Sequence, residues 1–291
     1  MLYDMPLYRP PSEGNNLIFQ ATLGCSFNGC TFCSMYKTKK YRAKPLEELF
    51  ADMDDAAEDW PEAYRVFLAD GDALTLPTDH LCRILDRLNE TFPNLQRVSC
   101  YATPINLLRK SVADLEKLRA RKLKLLYFGI ESGSGDILRR IRKGATPKSM
   151  ERALIRAAEG GMKVSATVVL GLGGRNRWQE HIDGTADLVS RAPLNFLSTL
   201  QLGLEEGAAQ RFFEKFGEPF EWQDDMALLA EQVRLIEQID PPRPVIFRSN
   251  HASNALALAG NLPKDKDRLL AQLRAAHDGE VPLRPRFLRG L

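Results

Sequence analysis

Leu17-Ile-Phe-Gln-Ala-Thr-Leu23 runs, after one glycine, into Cys25-Ser-Phe-Asn-Gly-Cys30-Thr-Phe-Cys33. The first part is an apolar run of strand length. The second holds three of the chain's five cysteines within nine residues. A thiolate cluster where a strand ends is a place to hold a metal centre, and three sulfur ligands leave one position open on a four-iron cluster or a zinc ion. Structural zinc, a disulfide with one free thiol, and ordinary buried side chains are the alternatives. Zinc wants a fourth ligand, yet Cys82 falls in an amphipathic helical pattern, Cys100 in a strand, and the histidines stand apart at 80, 181, 251 and 277. The odd cysteine count and the absence of a secretory apolar region argue against disulfide stapling, as does a length sufficient to bury a core. Spacing alone tilts the reading toward iron–sulfur and leaves zinc open.

The remaining composition is that of a globular chain: 291 residues, 44% hydrophobic, formal net charge +2. One large domain, or a domain with a small appendage, is expected. No apolar run reaches membrane-spanning length. The small net charge offers no independent argument for nucleic acid, and the basic runs Lys37–Lys44 and Arg139–Lys148 are local, with water their ordinary partner.

Outward from the cysteines, apolar strands recur at 17–23, 64–69, 96–101, 124–130, 163–170 and 196–202. Helical patterns fall between them at 45–59, 79–91, 105–120, 147–160 and 176–190, with Pro45 and Pro147 near first turns and Gly160-Gly161 as a closing pair. Strand alternating with helix predicts an α/β fold on an all-parallel sheet, either doubly wound or an incomplete barrel. In both, ligands bind at the carboxyl ends of the strands. Those ends are unusual here. They read Asp70-Gly71-Asp72, Ser99-Cys100-Tyr101, Gly129-Ile-Glu131-Ser132-Gly133-Ser134, Gly171-Leu-Gly-Gly174 and Gly203-Leu-Glu205-Glu206-Gly207. Any one is an ordinary tight turn; five beside a cysteine cluster point to a site where backbone approaches a ligand and carboxylates meet an amine or hydroxyls.

Together, the cysteine loop, the acidic tip after the second strand, the Gly-Ile-Glu-Ser-Gly-Ser tip and the Val169-Leu-Gly-Leu-Gly-Gly174 tip resemble the radical S-adenosylmethionine superfamily. The resemblance is to the branch with coproporphyrinogen-oxidase-like, elongator-like and methylthiotransferase-like catalytic domains, and it covers roughly residues 15–240. It implies a partial (β/α)6 TIM-like barrel with a small C-terminal extension. Residues 1–14 would form an N-terminal extension, 15–240 the core domain, and 241–291 a segment covering or completing the barrel. Two departures stand out. The loop is Cys-x4-Cys-x2-Cys where the family has Cys-x3-Cys-x2-Cys, and Asp70-Gly71-Asp72 replaces Gly-Gly-Glu.

By this resemblance Cys25, Cys30 and Cys33 would ligate three irons of a [4Fe–4S] cluster whose fourth iron takes the amino nitrogen and carboxylate of S-adenosylmethionine. Phe32 matches the aromatic against the adenine, and Gly71 and Asp72, with Asp70 behind them, match the stretch that holds the methionyl ammonium. Ser99 or Tyr101, with Glu131 and Ser132, sit where contacts to ribose or methionine are expected; Arg142 or Lys143 would neutralise the carboxylate; Val169 to Gly173, including Gly171, would meet the adenine edge. The implied chemistry is one-electron cleavage of the sulfonium to methionine and a 5′-deoxyadenosyl radical, which abstracts hydrogen from a substrate. A flavodoxin- or ferredoxin-like electron donor and a reducing cytoplasm are implied with it.

Substrate identity is thinly written. No second cysteine cluster is present. After Pro241-Pro242-Arg243-Pro244 comes a short apolar strand and the polar set Arg248-Ser249-Asn250-His251-Ala-Ser253-Asn254. His251 and Asn254 are candidates for substrate contact or proton relay; the competing reading is a polar turn capping a helix over 253–259. Glu205 and Glu206 are the next candidates, and His181 looks structural or solvent-facing. The tail from Leu262 reads as an amphipathic helix followed by a basic segment. A small-molecule substrate is expected from the compact chain, with RNA or a peptide as the alternative, and a non-catalytic zinc or iron–sulfur protein as the second.

Overall fold

The computed structural model describes residues 1–290. In chain order the elements are β1 (Leu17–Gln20), β2 (Thr22–Leu23), β3 (Arg42–Ala43), α1 (Leu46–Asp59), β4 (Arg65–Ala69), α2 (Thr78–Thr91), β5 (Arg97–Ala102), α3 (Pro104–Arg109), α4 (Val112–Ala120) and β6 (Leu123–Glu131). There follow α5 (Gly135–Arg140), α6 (Pro147–Glu159), β7 (Lys163–Leu170), α7 (Gly174–Arg191), β8 (Phe196–Gln201), α8 (Glu206–Phe216), α9 (Asp225–Gln238), β9 (Val245–Ser249), β10 (Leu258–Leu262) and α10 (Lys266–His277). The fold is α/β, a central mixed sheet with surrounding helices, consistent with a partial barrel.

The chain divides into two compact units, the first comprising 1–28, 35–128 and 155–164, the second 29–34, 129–154 and 165–291. In the first, β1, β4, β5 and β6 pair in that order, all parallel. The expected strand 17–23 breaks at Ala21, whose N–H turns to Ala69 O at 2.7 Å, and Thr22-Leu23 leaves to pair antiparallel with Arg42-Ala43. That two-residue ribbon brackets the cysteine loop. The expected helix 105–120 is two helices because Ser111 caps the second through a reciprocal pair with Asp114, and Thr103 caps the first. Phe19, Phe67 and Phe92 are fully buried in this unit, each contributing about 1.5–3 kcal/mol over exposure. At the opposite end of the strands from the cysteines, Glu13 is sealed in, accepting from Tyr127 Oη at 2.5 Å and Arg97 Nη2 at 2.8 Å.

In the second unit β7, β8 and β9 are parallel and β10 returns antiparallel to β9. The strands read from sequence that pair within each unit are parallel, and the all-parallel expectation fails at β10, which forms where a helix over 253–259 was an alternative. Turns at 252–253 and 255–256 let the chain reverse, and Leu258, Gly260 and Leu262 point inward in strand alternation. Helices α5, α8 and α9 were not anticipated. Among the described residues no helix is long and apolar enough to cross a membrane.

The tip of β6 meets α7 with no room for side chains. A Cβ on Gly133 would lie 2.0 Å from the carbonyl oxygen of Gly184. Gly133→Ala should therefore lower stability by about 3 kcal/mol in urea unfolding, whereas a loss under about 0.5 kcal/mol would show that helix and tip can separate at no cost.

Candidate active site at the strand tips

In the first unit the site is built on the turn after β4. Asp70 is fully buried, and its carboxylate accepts from Gly24 N, Gln20 Nε2 and Lys39 Nζ, each at 3.0 Å. It anchors the base of the cysteine loop, with both of its oxygens already accepting. Gly71 donates its N–H to Gly24 O, and a Cβ there would sit 2.7 Å from the Tyr36 ring and 3.1 Å from Cys25 Cβ. Only glycine permits this approach. Asp72 is the buried carboxylate that remains: Ser26 Oγ and Asn106 Nδ2 donate to it, but burial outweighs them and raises its pKa. A positively charged group would relieve that. Tyr41, pushed up to about 12 by burial and by the charges of Asp72 and Cys25, has a buried hydroxyl with no hydrogen-bond partner among the described residues. Thr75 and the Arg109 charge also favour the Asp72 carboxylate without overcoming burial; a carboxylate with no ion-pair partner among the described residues, near the Tyr41 hydroxyl and Cys25, is what a group bearing an ammonium would satisfy. Ser99 is buried and donates to Val66 O, while Tyr101 is half-buried, edge-on to Phe67 and Tyr127.

In the second unit Cys30 and Cys33 lie half-buried in a segment without regular structure, with Phe32 half-buried between them. Thr31 N–H bonds Ile141 O at 2.9 Å, and Arg211 Nη2 of α8 donates to the carbonyls of Cys30, Thr31 and Cys33 at 3.3, 3.4 and 3.1 Å. Glu131 takes a left-handed backbone (φ +60°), and its carboxylate pairs with Lys143 Nζ at 2.8 Å. The pair folds back over Gly129, where a Cβ would lie 2.0 Å from Glu131 Oε1. Burial alone would lower the Lys143 pKa, but Glu131 and the thiols of Cys30 and Cys33 outweigh it, so the ammonium persists beside the cysteines. Arg142 points to solvent.

His181 is fully buried, which removes the solvent-facing alternative. Its Nε2 lies 3.0 Å from Val169 O and its Nδ1 2.8 Å from Ser132 Oγ. A carbonyl only accepts, so Nε2 carries the proton and Nδ1 accepts from the serine. Burial pushes its pKa down to about 4, and this neutral ring ties the tips of β6 and β7 together. Gly171 (φ +85°) donates its N–H to Glu231 Oε2 at 2.8 Å. Glu205 and Glu206 are exposed at the start of α8. Asn254 is buried with both ends engaged: Nδ2 donates to Thr199 O and Ser249 Oγ, and Oδ1 accepts from Gln201 N. It holds the β8 tip. His251 is half-buried, with Nδ1 accepting from Ser253 N–H at 3.1 Å and its pKa lowered by burial.

Among the described residues none of the five cysteines is in a disulfide. Among the described residues no three His, Cys, Asp or Glu side chains gather around one point as a single ion requires. A four-iron cube makes a different demand, one thiolate per iron.

A radical SAM superfamily profile matches residues 19–189, more than half of the chain, and the chain belongs to that superfamily. Among solved structures it is similar to coproporphyrinogen III oxidase from Escherichia coli, with TM-score 0.56 and 16% identity over 77% of this chain and 52% of that one. Methylornithine synthase gives TM-score 0.54 and 15% identity over 79% and 63%. The radical S-adenosylmethionine methyltransferase TsrM from Kitasatospora setae gives 0.51 and 16% over 65% and 37%. At such identities the likeness is one of fold, and the chain spans less than two thirds of each structure's length. No curated protein matches it.

Arg211 lies beyond the matched segment and, like Asn106, Tyr41 and Lys39, was not singled out from sequence; a lone arginine in a helical pattern carries no signal. Arg211→Ala should leave the melting temperature of the cluster-free protein nearly unchanged and speed the reaction of Cys30 and Cys33 with a thiol reagent about tenfold, the weight of one charged hydrogen bond. Arg211→Lys should restore only part, lacking the planar fork.

The neutral His181 predicts a pH effect. Its folded value of about 4 is below the ordinary 6.5, so the unfolded chain binds the extra proton between them. The stabilisation is complete above about pH 6.5 and is lost as pH falls toward 4. The stability advantage of the natural chain over His181→Gln in urea unfolding should therefore shrink by about 2–3 kcal/mol between pH 7 and 4.5.

Proposed function

We propose that Cys25, Cys30 and Cys33 hold a [4Fe–4S] cluster and that Asp72, over Gly71, receives the ammonium of S-adenosylmethionine, within the coproporphyrinogen-oxidase-like branch. When bound, the pair supplies reductive cleavage of the sulfonium to a hydrogen-abstracting 5′-deoxyadenosyl radical. The observation that carries this reading is Asp72, a buried carboxylate near Cys25 with no ion-pair partner among the described residues, its pKa raised by burial despite Arg109. Tyr41 and Asn106 join it as residues oriented toward the same group.

The chain's own residues bind, orient and exclude water. Asp70 and Lys39 fix one end of the cysteine loop and Arg211 the other part. Lys143, kept charged by Glu131, offsets the negative charge of the thiolates and is available to a carboxylate. Phe32 lies against the adenine, Val169 and Gly171 offer backbone at its edge, and Ser132 is oriented by His181. Ser99 and Tyr101 support the floor of the site. His251, with one ring nitrogen committed to Ser253, is the substrate-side proton carrier, and Asn254 positions its segment. Glu205 and Glu206 stand at the entrance. The substrate is a small molecule, and the electron donor is flavodoxin- or ferredoxin-like.

Anaerobic reconstitution with iron and sulfide, then S-adenosylmethionine and a strong reductant, tests the reading. 5′-Deoxyadenosine should form, vanish in Cys30→Ala, and fall about a hundredfold in Asp72→Asn, which keeps the shape and removes the charge. Full activity in Asp72→Asn would transfer the ammonium to another group.

A further inference from the structure

Glu231 interrupts the apolar stripe of α9. Leu229, Leu235 and Ile236 are buried as the helical period requires, and Glu231 is fully buried among them. A carboxyl in such a place is tolerated only when its oxygens are satisfied. Its Oε2 accepts from the Gly171 N–H at 2.8 Å, where β7 ends. Its Oε1 is buried with no hydrogen-bond partner among the described residues, and the same holds for the Gln223 carboxamide oxygen. The Gln223 carboxamide reaches the Glu231 carboxyl, and its oxygen lies 3.9 Å from where a Gly171 Cβ would be.

Two bare acceptors in one buried wall are short of one hydrogen. A neutral Glu231 supplies it: Oε1–H donates to the Gln223 oxygen while Oε2 keeps the Gly171 N–H, and both oxygens are satisfied. An ionised Glu231 accepting from the Gln223 amide would leave the carboxamide oxygen bare and a charge in the wall with no cation. The elements packed around it supply none. Arg175 of α7 is paired with Asp224, Arg234 of α9 with Asp183, Arg274 of α10 with Glu237, and Arg289 of the C-terminal segment with Asp225. Arg286 is exposed, and His181 of α7 is neutral. Burial accordingly pushes the Glu231 pKa up to about 8, opposed only by the Gly171 N–H and the Gln223 carboxamide.

Gly171 has a left-handed backbone (φ +85°) and no side chain to steady it. Its N–H bond to Glu231 and the Gly174 N–H bond to its carbonyl, at 3.0 Å, set the direction of the tip. We propose, on the reading that Val169 to Gly173 meets the adenine, that Glu231 is a positioning residue for this tip. It acts as a neutral acid that holds Gly171 with one oxygen and is itself held by Gln223 through the other.

Two variants separate this role from mere packing. Glu231→Gln reproduces the neutral pattern, its carboxamide oxygen accepting from Gly171 and its N–H donating to Gln223; Glu231→Leu stays apolar and removes both bonds. In NMR of the full chain without cluster, the Gly171 amide resonance should titrate once with a midpoint near 8, and be flat over the same range in Glu231→Gln. In calorimetry on the anaerobically reconstituted chain at neutral pH, S-adenosylhomocysteine should bind Glu231→Gln within about threefold of the natural chain and Glu231→Leu at least about tenfold more weakly. A Gly171 midpoint in the ordinary carboxylate range overturns the proposal. So does a loss of affinity in Glu231→Gln as large as in Glu231→Leu, or an affinity that Glu231→Leu does not move. No binding by the natural chain refutes the adenine assignment and the positioning role with it, and that failure is told apart by the Gly171 titration, which is read without ligand or cluster.

Discussion

The active-site end of the first unit depends on one buried carboxylate. Asp70 collects three donors from three directions: a backbone N–H at the start of the cysteine loop, a side-chain amide from β1, and the Lys39 ammonium from the loop's return. A carboxylate so buried is tolerable only when fully paired, and removing a single partner leaves a charge costing about 3–5 kcal/mol. The loop's beginning and return are therefore held at fixed positions beside β4 before any ligand enters. The adjacent Asp72 is the opposite case, buried and incompletely compensated. One residue between them, Gly71, sets the contrast by letting Tyr36 and Cys25 close over the backbone.

The second unit reaches the same end with weaker and more numerous ties. Three carbonyls converge on one guanidinium, a neutral imidazole bridges two strand tips, and an ion pair wraps over Gly129. None of these is a metal ligand. Each restricts a backbone segment that is, or adjoins, a candidate contact. In both units the strand tips are thus rigid by polar pairing while the strands themselves are rigid by apolar packing, Phe247 and Phe212 being fully buried like Phe19 and Phe67.

The strands were legible because most are runs of β-branched and large apolar residues ending in glycine or acid, a pattern with few competing explanations. The tips were legible for the same reason. What escaped reading depended on long-range pairing. Nothing local distinguishes the fully paired Asp70 from the less compensated Asp72; only the three donors do. The split at Lys110-Ser111 was decided by a capping serine whose pattern, Ser-x-x-Asp, is short and common. The polar cluster 249–254 looked like a substrate loop because dense polarity after a strand has two meanings, and the partners Thr199 and Gln201, some fifty residues away, select internal bonding for Asn254.

The clamp on the cysteine segment has a consequence in time. Arg211 is 178 residues downstream of Cys33, so a ribosome adding about 5–20 residues per second leaves the thiols without their guanidinium for roughly ten to forty seconds. During that interval the segment is a free, reactive peptide. The order of synthesis makes α8, a late-made element, the one that fixes the backbone of this early-made segment.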